Sequence, residues 1–270
     1  MHGGRDMFIH FTDLRHEHSH EEESSGLLIY GIRAVTEAIR AGKEVDKLFV
    51  QEGLSNELFG ELRRLTREHN IIYKTVPAGK IQRLAPGKNH QGVAAFLSAV
   101  AFRKTEDVLP EIFETGQTPL FLILDRITDV RNFGAIARTA ECAGVHAIII
   151  PSRGAAQLNA DAVKTSAGAL HSIPVCREDN LKTVIDYLKE SGLRIASCTE
   201  KGSTVHYETD LSGPLAIIMG SEEDGISGEY LKRSDVRIQI PMHGMISSLN
   251  VSVATGIVLF EVLRQRAATA

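Results

Sequence analysis

From residue 26 onward, short unbroken apolar runs alternate with stripes of helical spacing. The runs Leu27-Leu28-Ile29-Tyr30, Leu48-Phe49-Val50, 71–76 and 93–97 predict four strands. Between them, Ala34, Val35, Ala38 and Ile39 share one face of a predicted helix over 31–41, closed by Gly42, and a second helix is predicted over 56–69. Together these elements form a compact α/β unit over 26–98, within the usual size of a domain. Residues 99–118 are polar, carry Pro110 and Gly116, and read as a linker with one short helix over 108–114.

A second unit, 119–270, shows the same rhythm on a larger scale. Strands are predicted over 120–124, 147–151, 193–198, 215–219 and 236–240, and helices over 134–143, 160–170, 180–191 and 249–266. Apolar runs this continuous, each followed by a helix, predict a parallel sheet covered on both faces. The fold class is therefore α/β, with a small first unit and a larger second one.

Composition changes this picture little: 43% hydrophobic and 24% charged residues describe a globular chain. No apolar run reaches the ~20 residues of a membrane helix, and the N-terminus has no signal-peptide core, so a cytoplasmic protein without a membrane partner is expected. Residues 1–25 read as a disordered tail, with His16, His18 and His20 alternating beside Glu21-Glu22-Glu23. No carboxylate or Cys pattern completes a metal site there, and Cys142, Cys176 and Cys198 lack metal spacing, so no metal is expected. Net charge is −4, yet residues 26–110 hold 13 basic against 9 acidic groups. A polyanion would favour that middle segment.

The candidate chemistry follows three of the second unit's strands. Asp129-Val130-Arg131-Asn132-Phe133-Gly134 with Arg138 comes after 120–124, Gly220-Ser221-Glu222-Glu223-Asp224-Gly225 after 215–219, and 241–252 after 236–240. Loops at the carboxyl ends of parallel strands are where ligands sit, so the three point to one shared site. No G-x-G-x-x-G or G-x-x-x-x-G-K-[ST] occurs, which disfavours a dinucleotide fold or a P-loop, and three carboxylates in 222–224 would repel phosphate.

D-V-R-N-F-G-x-x-x-R, M-G-S-E-x-x-G-I and I-P-M-x-G-x-x-x-S-L-N-V-S-V-A resemble the three motifs of the SpoU/TrmH group of SPOUT RNA 2′-O-ribose methyltransferases. The likeness extends over almost all of 26–266. Val130 departs from it, standing where the family usually has Pro. Tyr30-Gly31-Ile32-Arg33-Ala34-Val35 and Asn89-His90-Gln91-Gly92-Val93 resemble the RNA-binding domain of the subgroup that methylates a guanosine in 23S ribosomal RNA.

The resemblance implies S-adenosylmethionine as cofactor, RNA as partner, a homodimer, and a SPOUT domain over 119–270 with a trefoil knot. It places Asn132, Arg138, Glu222, Ser248 and Asn250 in the catalytic machinery, and Thr199, Gly220, Ile240, Met242 and Leu249 around the cofactor. Arg33, Lys88, Asn89, His90 and Gln91 are the implied RNA contacts, through phosphates and splayed bases. A guanidinium stays protonated at physiological pH, so Arg138 is expected to stabilise a developing alkoxide rather than to take its proton. Plainer roles stand beside these: Arg138 paired with Glu141, Asn132 capping the helix at 134, Ser248 capping the last helix, and Val253, Ile257, Leu259, Phe260 and Leu263 forming core or a dimer seam.

Overall fold

The computed structural model describes residues 27–269, so the tail read over 1–25 lies outside the described residues. The first unit runs β1 (Leu27–Tyr30), α1 (Ile32–Arg40), β2 (Val45–Gln51), α2 (Glu57–Glu68), β3 (Tyr73–Val76), α3 (Ala78–Leu84) and β4 (Val93–Leu97). Its sheet has the order β1-β4-β2-β3. Val45 pairs with Leu97 at one end of β2, and Val50 with Val93 at the other. The register therefore gives this unit two poles. Glu44 and Ser98 stand at the pole that meets the second unit, and the 85–92 loop stands at the far one.

The second unit runs β5 (Phe102–Arg103), α4 (Thr105–Glu114), β6 (Leu120–Asp125), α5 (Val130–Cys142), β7 (Ala147–Pro151), α6 (Ala160–Thr165), β8 (Val175–Glu178), α7 (Leu181–Glu190), β9 (Arg194–Cys198), β10 (Thr204–Val205), β11 (Leu215–Gly220), α8 (Gly228–Arg233), β12 (Val236–Gln239) and α9 (Val251–Thr269). Its eight strands take the order β10-β12-β9-β11-β6-β7-β8-β5, and every pairing is parallel.

All six residues of β6 are buried, because the pleat sends alternate side chains into two separate cores. Leu120, Leu122 and Leu124 join the core beneath α5 and α9. Phe121 and Ile123 join the one beneath α4 and α7.

Several expected boundaries move. Helix α5 starts at Val130, not 134, because the Asp129 carboxylate accepts from Asn132 N at 2.7 Å and caps it. The helix expected over 160–170 stops at Thr165, where Ala167 and Gly168 turn left-handed (φ +51° and +87°) before a short 3-10 turn. Residues 99–118 carry β5, which pairs with β8, and α4, whose Val108, Leu109 and Ile112 enter the second core. Ala99 N donates to Leu158 O at 2.8 Å, and Arg177 pairs with Glu44 at 3.3 Å, so the two units are joined by backbone and charge alike.

Candidate functional site

Strands β6 and β11 are neighbours in register, which sets Asp125 beside Gly220 at their carboxyl ends. From Gly220 the chain turns through 221–225 and folds back over itself. A Cβ on Gly220 would lie 2.2 Å from the Gly225 carbonyl carbon, so glycine is required there by the loop's own backbone. The turn is clamped from β6. The buried Asp125 carboxylate accepts from Ser227 N at 2.7 Å and from Arg126 Nε at 2.9 Å. Arg126, itself at φ +59°, reaches on to Asp224 Oδ2 at 3.0 Å and to Gly225 O at 3.2 Å.

This clamp presents Glu222. Its Oε1 accepts from Asn250 Nδ2 at 2.9 Å, from Asn132 Nδ2 at 3.2 Å and from Val251 N at 3.4 Å. Asn250 Nδ2 also donates to Asn132 Oδ1 at 3.0 Å. Residues from all three polar loops thus form one connected network. The same Asn250 caps α9, its Oδ1 accepting from Ser252 N at 2.9 Å and Ser252 Oγ at 2.6 Å. The cap considered for Ser248 therefore belongs to Asn250, and Ser248 lies exposed two residues earlier.

Arg138 stands apart from this network. It lies two turns into α5, not one, six positions after Asn132. On an ideal helix that is about 9 Å along the axis and about 120° around it. Arg138 is exposed, and among the described residues its side chain has no hydrogen-bond or ion-pair partner, so a pairing with Glu141 does not form.

Thr199 follows β9, with its N–H donating to Ile238 O of β12 at 3.0 Å, and Gly202 packs so tightly there that a Cβ would lie 2.5 Å from Ile238 C. Ile240, Met242 and Leu249 belong to the next loop, where Met245 and Ile246 are also exposed. Among the described residues, no backbone group from 242 to 249 makes an internal hydrogen bond. This segment therefore offers open N–H and C=O groups beside apolar side chains, which suits a ligand that is a flat heterocycle with a polar rim. Among the described residues no group of His, Cys, Asp and Glu is arranged to hold a metal.

The RNA-contact candidates sit elsewhere, at the far pole of the first unit. Gln91 Oε1 accepts from Ile32 N at 3.2 Å, and His90 Nδ1 accepts from Gly92 N at 3.1 Å, so both shape the loop. Arg33 and Lys88 are exposed there, with Asn89 between the two segments. Sequence reasoning missed Arg126 and Asp224. The signal was available, since Asp125-Arg126 directly follows an apolar strand just as the three motifs do.

The fold is that of the SPOUT methyltransferases, as solved structures show. The SpoU methyltransferase AviRb from Streptomyces viridochromogenes, in complex with the cofactor AdoMet, superimposes with a TM-score of 0.57 at 25% identity, covering 90% of this chain and 92% of that one. An AdoMet-bound rRNA methyltransferase from Sinorhizobium meliloti gives 0.57 at 25% identity, over 89% and 87%. A Staphylococcus aureus (strain MSSA476) protein assigned to the TrmH family of tRNA/rRNA methyltransferases is 36% identical over 239 residues, 88% of this chain and 96% of the relative. Residues 119–260 match the SpoU rRNA Methylase family, and residues 28–102 match the family of RNA 2′-O ribose methyltransferase substrate-binding domains. The chain belongs to the SpoU family of RNA methyltransferases.

Proposed function

We propose that this protein moves the methyl group of S-adenosylmethionine to the ribose 2′-hydroxyl of a guanosine in 23S ribosomal RNA, working in the cytoplasm as a homodimer. The division of labour follows the two units: 26–98 holds RNA and 119–270 carries the chemistry. The observation that carries the reading is the Asn132–Glu222–Asn250 network, which ties the three family motifs together next to the open 242–249 segment.

Thr199, Gly220, Ile240, Met242 and Leu249 would hold the cofactor, mainly through backbone groups. When bound, its sulfonium supplies an already activated methyl group. What remains for the protein is to position a hydroxyl and to favour its alkoxide character. Asn132 and Asn250, locked onto Glu222, are held rigidly enough to orient a ribose. Ser248 supplies a hydroxyl on the same loop.

Arg138 stabilises the developing negative charge, and the proton leaves to water or phosphate. Its place on α5, turned away from its own Asn132, supports a role in the partner subunit's site. An apolar seam for that partner is available on α9. Val258, Leu259 and Val262 are buried in the core, whereas Val253, Ile257 and Phe260 are 51%, 36% and 55% exposed on the opposite side. The threading of the knot belongs to this proposal too, with 240–250 as its closing segment.

Ribosomal rather than transfer RNA is favoured by what the relatives share. The Sinorhizobium rRNA methyltransferase matches 89% of this chain. The A. aeolicus TrmH/SpoU tRNA modifying enzyme, at 32% identity and a TM-score of 0.53, matches 57% of this chain and 78% of its own. This difference supports a first unit that serves a ribosomal substrate.

Mapping 2′-O-methylation by primer extension on RNA from cells with and without the gene tests the reading. One 23S guanosine losing its methyl group is the expected result. A loss confined to tRNA would move the substrate, and calorimetry showing no S-adenosylmethionine binding would overturn the enzyme.

A further inference from the structure

The proposed RNA contacts at 88–91 and the reaction loops do not adjoin. β4 separates the 88–91 loop from the junction with the second unit, and its five residues span about 17 Å. A strand touching both must cross whatever lies between, and what lies there is a cleft of about 1000 Å³ with walls from both units. Helix α2 contributes Arg63 and Arg67, one turn apart on one face, and the ends of β6 and β7 contribute Arg126 and Arg153. Arg63, Arg67 and Arg153 are exposed, and among the described residues their side chains make no hydrogen bond or ion pair.

Of the cleft's two carboxylates, one is buried and engaged. Asp125 is tied to Arg126 and Ser227 N. Asp179 is the other carboxylate of the lining and is exposed at its edge. Three unpaired guanidinium groups from two units outnumber that one exposed carboxylate and suit a chain of phosphates, each able to take a planar fork. Tyr73 and Tyr230, both half-buried, also line the cleft. Continuity selects RNA over an acidic protein segment: Arg126 lines the cleft and also bonds Asp224, two residues from Glu222. The cleft and the reaction loops share one rim.

We propose that this interdomain cleft seats the single-stranded RNA flanking the methylated nucleotide, with its phosphates on Arg63, Arg67 and Arg153. The inference rests on the RNA methyltransferase reading and adds the path of the substrate. That path runs from the far-pole loop along α2 into the reaction loops.

The test uses the full chain and its Arg63→Gln/Arg67→Gln and Arg153→Gln variants, with 23S ribosomal RNA fragments and bulk tRNA as probes, each labelled with 4-thiouridine. The double variant is expected to bind its preferred RNA at least tenfold more weakly. The slope of log affinity against log salt should fall by about 0.7 for each phosphate that is no longer neutralised. Affinity for S-adenosylmethionine should match the unaltered chain, which also shows that the variant is folded. Photocrosslinks should map to 63–73 and 151–153. Unchanged affinity and salt slope, or crosslinks confined to 31–33 and 88–91, would overturn the cleft while leaving the enzyme intact. Failure of the unaltered chain to bind S-adenosylmethionine would instead remove the reading beneath it.

Discussion

Asn250 and Asn132, remote in sequence, meet amide to amide at 3.0 Å, with Glu222 accepting from both. Asn250 also caps α9, so one side chain sets the start of a helix and the geometry of the reaction loops. The two duties can be separated. Asp caps a helix as well as Asn does, but Asn250→Asp sets a second carboxylate against Glu222 and removes the donor. Loss of one such fixed donor typically costs about 10²–10³ in rate. Methyl-transfer kinetics should show that fall in kcat while thermal unfolding stays near its original midpoint. An unchanged kcat would remove the network from the chemistry.

If Arg138 serves the partner's site, crippled chains will complement. A mixture of Arg138→Ala and Asn132→Ala chains, each inactive alone, should recover about a quarter of the activity of the unaltered protein, since random pairing makes half the dimers mixed and each has one complete site. Recovery absent after verified subunit exchange would place Arg138 in its own subunit's site.

Gly220→Ala forces a methyl group into the Gly225–Ile226 backbone, with no flexible side chain to give way. Overpacking of this kind costs about 1–3 kcal/mol, and here the strain falls on the loop that carries Glu222. Calorimetry should show S-adenosylmethionine affinity reduced by at least tenfold, with the rest of the fold intact by circular dichroism.

The three thiols should separate by burial. Burial pushes the Cys176 thiol up to about 12 and the Cys198 thiol up to about 11, so neither forms a thiolate at pH 8. Cys142 is exposed on α5. Titration with a chromogenic disulfide at pH 8 should find one reactive thiol in the native protein and three after denaturation. Rapid modification at three would mean that the sheet opens on that timescale.

The strands of the second unit are legible because a buried parallel strand is apolar throughout, as Leu215 to Met219 shows. Elements that bury little leave no such trace. Helix α8 has no buried residue, and β5 and β10 have two residues each. Strand β8, with the mixed sequence Val-Cys-Arg-Glu, escapes the pattern because Glu178 is buried to hold Thr105 N at 2.7 Å and Oγ1 at 2.8 Å, a partnership no local pattern can show. The start of α5 reads late because Val-Arg-Asn-Phe lacks an apolar stripe, and only Asp129 as its cap marks the true beginning. The candidate site is legible as polar residues after strands. That Asn132, Glu222 and Asn250 touch depends on which strands are neighbours, and order in a sheet is not written in any single segment.

The side-by-side register of Asp125 with Gly220 also has a consequence for biosynthesis. These strands are far apart in the chain, so their pairing demands closure of a long loop and comes late. A nascent polypeptide still short of β11 owns the first unit complete yet possesses no catalytic loops in apposition. The ribosome must therefore release residues 220–270, about the last fifth of the chain, before the three loops can meet, and a chain terminated between the two units would hold the first unit alone.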